Sequence, residues 1–492
     1  MRDICPNCGG ELVARPRGIP ISAGKPAQVR PRSPRRPPQP RFACYDGEMS
    51  GSQFVAAGAP LAPIGAHSML LLLLQLAALL GLALLLGRLA VRLGWPAVVG
   101  ELAAGVLLGP SLLGALAPGA AGWLFPQHSE QVHMLDAVAQ LGVLLLVGIS
   151  GSHLDVDLVR HQSGAALRVS LFGLTLPLAL GVGLGLLLPA SGHTDHAVYA
   201  AFLGVAMCVS AIPVIAKTLL DMDLLHRDIG QLTLTAGMMD DAVGWVLLSL
   251  VTAMATTGVT GGAVLHAVLA LLVVLAAAVP LARWVIPPLF RRAERTGGAG
   301  VLSATATVLM LLAAAGTQAL GLEPIFGAFV AGVTIAASRS VGPMALAPLR
   351  TVVTAVLAPV FLASAGLRMD LTALGRPMVA LTAAAALLVA VAGKFGGAFL
   401  GARASRLNRW EALALGAGMN ARGVVQVVIA MVGLRLGVLD SAGYTVIVLV
   451  AVVTSTMAPP VLRAAMARIV QTPAELRRRE RQFGQAKEVE RL

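Results

Sequence analysis

The chain has 492 residues, of which 57% are hydrophobic and only 12% charged, with a mean hydropathy of +0.81 and a formal net charge of +13. A soluble fold of that length covers itself with charge, so the composition excludes one and leaves a polytopic membrane protein. The positive excess lies in the loops and ends of an apolar chain, where it reports orientation in a lipid bilayer, and no nucleic-acid surface is expected.

Residues 1–66 differ from all that follows. They are rich in Pro, Gly and Arg (VRPRSPRRPPQPR) and hold nine Lys or Arg against four acids, the composition of a disordered leader. Cys5 and Cys8 stand in CPNC, half of a zinc ribbon whose second CxxC is missing, so no metal site is expected there. Nothing has the form of a signal-peptide cleavage site. An over-long start, with Met49 or Met69 as first residue, accounts for the stretch equally well. Of the other cysteines, Cys44 is in the same stretch and Cys208 lies in the apolar part, as a small buried thiol.

From Met69 onward, apolar runs alternate with short polar loops in thirteen spans: 69–89, 96–114, 134–151, 165–188, 197–218, 228–257, 263–287, 301–320, 324–338, 347–366, 377–401, 411–433 and 443–467. They define a transmembrane domain over 67–470, followed by a basic tail, 471–492, expected to be solvated. With the loop after the first span taken as cytoplasmic, that side carries fifteen Lys or Arg and the opposite side three, Arg368, Arg376 and Arg435. The positive-inside rule then sets the N-terminus outside and the C-terminus in the cytoplasm.

Internal echoes follow. GELAAGV (100–106) in the second span matches GAFVAGV (327–333) in the ninth, and SHLDVDL (152–158) after the third matches AGLRMDL (365–371) after the tenth. Both echoes are seven spans apart, and an odd offset inverts the second copy. The expected architecture is therefore all-α, with two inverted six-helix repeats, 69–257 and 301–467, around a linking helix, 263–287. Corresponding spans five and twelve both carry helix breakers. The fifth reads AMCVSAIPVIAKTLL, with Ser210 beside Pro213. The twelfth reads GAGMNARGVVQVVIA, with Asn420, Arg422 and Gly423. Discontinuous helices crossing at mid-membrane would offer free N–H and C=O ends to a cavity.

The sixth span, RDIGQLTLTAGMMDDAVGWVLLSLVTAMATT, sets Asp240 and Asp241 side by side in a membrane-length apolar run. An ionised carboxylate at that depth costs roughly 2.5–3.5 kcal/mol. Adjacent helical positions point about 100° apart, so one structural partner rarely satisfies both. Lys394 in the eleventh span and Arg422 in the twelfth could neutralise these acids or cap the broken-helix carbonyls; Arg422 reads mainly as the latter. Glu101, in the second span, reads as structural.

GELAAGVLLGPSLLG, VSAIPVIAKTLL, TAGMMDDAVGW, the GK of AGKFGGAFLGAR and MNARGVVQVVIA together resemble the monovalent cation:proton antiporter-2 family, the branch of Kef-type potassium/proton and bacterial sodium/proton exchangers. The likeness runs from about Met69 to Ala467. It implies the sodium/proton antiporter fold, no enzymatic activity, no cofactor, and Na+ or K+ and H+ as substrates in a homodimer of the cytoplasmic membrane. It implies that Asp241 binds cation and proton in turn while Asp240 pairs with Lys394, and that a core moves against a dimerisation scaffold. If Lys394 also gives up a proton on cation binding, two protons move per ion. Two features depart from family patterns: Kef-type exchangers often have Gln in place of Asp240, and relatives frequently have Glu in place of Gln426. No nucleotide-binding domain of the Kef kind is expected. The rival readings are a sodium-coupled symporter of a small solute and a non-transporting sensor on the same fold.

Overall fold

In a bilayer a Leu-, Ala- and Val-rich backbone has no hydrogen-bond partner but itself, and helices are how such runs satisfy their own N–H and C=O groups. The computed structural model describes residues 64–126, 129–152, 164–189, 195–258, 261–339 and 345–477, and every regular element among them is helical. The leader with its CPNC motif, the SHLDVDL stretch beyond Ser152 and the chain from 478 lie outside the described residues.

Besides two short helices, Leu113–Leu116 and Pro118–Leu124, the first half consists of α1 (Ala66–Arg92), α2 (Ala97–Leu108), α3 (Ser129–Ser152), α4 (Gly164–Leu187), α5 (His196–Cys208), α6 (Ile212–Asp221) and α7 (Asp228–Thr257). Next comes α8 (Gly261–Pro280), which runs through a π turn into α9 (Ile286–Ala319). Within α9 the chain turns at Gly297 and Gly298, the latter at φ +63°, a conformation that glycine adopts without a Cβ clash. The second half has α10 (Pro324–Ala337), α11 (Ala347–Leu367), α12 (Pro377–Ala404), α13 (Arg409–Met419), α14 (Val424–Arg435) and α15 (Ser441–Met466).

Nine of the described helices are long and apolar enough to cross a membrane. α13 and α14 make a further span, bent by 44° at their junction. Each of the thirteen expected spans falls on a helix or on a broken pair. The turn at Gly297–Gly298 divides spans seven and eight, α5 with α6 is span five, and the short α10 is span nine.

The helices sort into two groups that pack mainly within themselves. One contains α1, α2, α3, α9, α10 and α11; the other contains α4–α7 and α12–α15. Leu272, Leu312 and Leu388 face outward, where lipid would be their solvent.

The echoed glycines make equivalent contacts in the two halves. A Cβ on Gly100 would meet the Leu86 carbonyl of α1 at 2.1 Å, and one on Gly327 would meet the Ala313 carbonyl of α9 at 2.3 Å. Likewise Gly105 lies against Ala363 of α11, and Gly332 against Gly148 of α3, both too close for any side chain. Under a seven-span inversion these are the same two crossings, span two on one and ten, and span nine on eight and three. Small residues are what let such backbones approach.

Candidate functional site

The site forms where two helices stop inside the bundle. α5 ends at Cys208, and Val209–Ala211 run without helical structure until α6 begins at Ile212. Pro213 is the second residue of α6, where a missing N–H costs no helical bond. Opposite, α13 ends at Met419 and residues 420–423 are non-helical before α14. The two breaks touch: the Ser210 hydroxyl oxygen, whose one proton is shared with Asp240, lies 3.4 Å from the Met419 carbonyl. A Cβ at Gly423 would stand 2.4 Å from Val214 Cγ2, so this approach requires glycine.

A helix that stops at Cys208 leaves its last carbonyls without helical donors. Two buried cations supply them. Arg422 donates to Ala206 O (3.2 Å), Met207 O (2.6 Å) and, in α12, Ala390 O (3.1 Å). Lys394 Nζ donates to Cys208 O at 2.5 Å. Positive charge at a helix C-terminus also opposes the negative end of its dipole. Among the described residues Arg422 meets no carboxylate; its other partner is Gln426 Oε1 at 3.4 Å, and Gln426 in turn donates to Ile447 O. The neutral Gln426 therefore stands beside the guanidinium.

The adjacent aspartates are in opposite conditions. Asp240 is wholly buried and fully partnered, by Lys394 Nζ at 2.5 Å, Ser170 Oγ at 2.6 Å and Ser210 Oγ at 3.2 Å. Asp241, also buried, has one long contact, from the Ile212 N–H that opens α6, to Oδ2 at 3.4 Å. Among the described residues its Oδ1 has no partner, and neither does the buried Asn420 Oδ1 in the facing break. Buried oxygens of this kind are rare because each keeps its desolvation cost. A proton or a small cation on Asp241 would remove that cost.

Ser170 was not singled out in the sequence, since one serine in an apolar helix carries no local signal. Nor were two ion pairs at the opposite end of the bundle from the arginine-rich loops. Arg435, closing α14, holds Glu323 beside α10 at 2.8 Å, and Arg368 meets Asp136. They border a crevice of about 140 Å³ between the two helix groups, floored by Phe361, Val428 and Met431. Glu101 packs against Gly87 of α1, away from the crossing. Glu475, in the segment expected to be a solvated tail, is buried. It accepts from the Asp228 N–H at 2.7 Å, capping the start of α7, and pairs with Arg227 at 3.2 Å.

Two helix groups, with an unpartnered acid at the crossing of two broken helices, are the build of a secondary ion transporter. Residues 76–468 match the family described as sodium/hydrogen exchanger, transmembrane, and the chain belongs to that family. It is 30% identical to "Na(+)/H(+) antiporter NhaS4" of Synechocystis over 80% of this chain and 97% of that protein. It is 29% identical to "Cation/H(+) antiporter 18" of Arabidopsis thaliana over 87% of this chain, which spans about half of that longer protein, 52%. Its fold is similar to that of the sodium proton antiporter MjNhaP1 from Methanocaldococcus jannaschii, with a TM-score of 0.58, 14% identity, and 81% of this chain and 97% of the other covered.

Proposed function

We propose that the chain exchanges a monovalent cation, Na+ or K+, for protons across the cytoplasmic membrane, the two competing for Asp241. The observation that carries this reading is the unpartnered Asp241 Oδ1 beside a fully satisfied Asp240. In this reading Asp240 and Lys394 form a neutral pair that holds the crossing together. Arg422 caps α5, and Asp241 is the group that loads. Asn420 Oδ1 and the Ser210 hydroxyl are the oxygens that would complete a cation's shell, since Na+ and K+ are hard ions that take oxygen ligands.

Coupling then follows from desolvation. An ionised Asp241 without a counter-charge pays too much to cross the apolar barrier, whereas the protonated or cation-loaded form does not. Only loaded cores move, so each cation carried one way is exchanged for protons carried the other. The group of α4–α7 and α12–α15 acts as the moving core, and the other group as the scaffold of a homodimer. The loop arginines support an N-terminus outside and a C-terminus in the cytoplasm, with residues 1–66 as leader, 67–470 as transport domain and 471–492 as tail.

The test is reconstitution of the full chain in liposomes with a pH dye in the lumen. Addition of Na+, K+ or Li+ outside should alkalinise the lumen for the preferred ion, and Asp241→Asn should abolish the signal. No proton movement with any of the three ions would sink the reading.

A further inference from the structure

At the arginine-rich end of the bundle, away from the crossing, α13 begins with Arg409 and Trp410, and the chain leaving α15 brings Arg468 to the same place. Both guanidiniums lie over one indole. Arg468 Cζ is 4.1 Å from the Trp410 ring centroid and Arg409 Cζ is 5.0 Å from it. Cation–π attraction explains one such stack. Two positive charges on a single ring repel each other, and among the described residues neither guanidinium meets a carboxylate. The nearest acid in sequence, Glu411, is engaged elsewhere: its Oε2 accepts from the Asn408 N–H at 2.8 Å in a capping box.

The same residues wall a surface cavity of about 460 Å³, completed by Phe399 of α12 and Leu413 of α13. The cavity therefore has two chemistries. Two exposed guanidiniums, with the planar forks that suit phosphate oxygens, stand at its rim. A half-buried phenyl and a leucine, on helices that span the membrane, form its inner wall. Tryptophan is enriched at headgroup depth.

We infer that this cavity is a binding site for an anionic phospholipid, its phosphate held between Arg409 and Arg468 over Trp410, and its acyl chain lying along Phe399 and Leu413. The apolar wall distinguishes this occupant from free phosphate, which would gain nothing there. The lipid would clamp the start of span twelve, one of the two helices broken at the crossing, to the end of span thirteen. The inference is independent of which ion is transported.

The test uses the full chain in phosphatidylcholine vesicles containing acyl-brominated phosphatidylglycerol or acyl-brominated phosphatidylcholine at equal mole fraction. The readout is the quenching of the fluorescence component that Trp410→Phe removes. The anionic lipid should be preferred roughly tenfold or more, as expected for two arginines at an anionic headgroup. Arg409→Gln with Arg468→Gln should abolish the preference, while the corresponding Lys pair keeps part of it. Unchanged gel filtration and thermal unfolding of the Gln pair would show that the fold survives. Equal quenching by both lipids would overturn the inference, as would a preference that survives in the Gln pair. A preference erased by inorganic phosphate would assign the site to the free anion instead. One that emerges only after removal of residues 478–492 would assign it to the chain's own Glu480, Glu488 and Glu490, and either result rejects the lipid.

Discussion

Lys394→Met tests whether the Asp240–Lys394 pair holds the crossing together. In the structure Lys394 Nζ makes two bonds, to Asp240 Oδ2 and Cys208 O, both at 2.5 Å in a wholly buried setting. Removing one member of a buried ion pair costs roughly 3–5 kcal/mol, because the remaining charge stays desolvated. The abandoned carbonyl adds roughly 1–3 kcal/mol. Asp240→Asn should also destabilise, since its single amide oxygen can replace only one of the two carboxylate oxygens that accept from Ser170 and Ser210, and Lys394 loses its counter-charge. In the double variant no charge is left alone, so its loss should fall short of the sum of the single losses by roughly 1–3 kcal/mol, the usual range for coupled contacts. The assay is a double-mutant cycle on thermal unfolding in detergent, read by tryptophan fluorescence and by loss of the monodisperse gel-filtration peak. Strict additivity would refute the argument, because the two side chains would then not depend on each other for stability.

Two other predictions rest on different contacts. Burial works against ionisation of Glu475, but hydrogen bonds from the Asp228 and Thr472 N–H groups and the Arg227 charge outweigh it and hold the carboxyl below the ordinary carboxylate range. A lowered folded value means that docking of residues 472–477 is favoured above the unfolded value and is lost as pH falls through the folded one. Protection of this segment, measured against the intrinsic exchange rate at each pH, should thus stay high at neutral pH and fall only below the usual carboxylate range. Glu475→Gln should leave protection low at every pH, and protection that ignores pH would reject the assignment. Gly423→Ala, whose Cβ would lie 2.4 Å from Val214 Cγ2, should cost about 1–3 kcal/mol by overpacking and slow cation-triggered proton flux. Adding Val214→Ala should restore part of both, and no rescue would mean that the strain lies elsewhere.

Much of this protein could be read along the chain, since membrane-length apolar runs can only be helical and are recognisable without any partner. The two breaks were equally local. Pro213 and the Gly-rich stretch around Asn420 mark the breaks locally, although Pro177, Pro459 and Pro460 sit inside unbroken helices, and the paired Asp240 and Asp241 are conspicuous in any apolar segment. Repeated spacing of Gly100 and Gly105 with Gly327 and Gly332 pointed to an inverted arrangement, and all four glycines make close helix crossings consistent with it.

Partner choice was not local. The family resemblance assigns Lys394 to Asp240, but nothing in the residues near Asp240 or Asp241 says which of them is satisfied. Ser170 and Lys394, which decide it, are 70 and 154 positions from Asp240. Glu475 looked like part of a solvated charged end, yet it caps a helix that begins 247 residues earlier. Arg409 and Arg468 carry no mutual signal along the chain, and only folding sets both on Trp410. Side-chain partners across a bundle depend on the rotation and depth of each helix relative to its neighbours. Apolar faces that bury equally well in several registers do not encode these, so only the assembled tertiary structure determines which acid is left with an oxygen to offer.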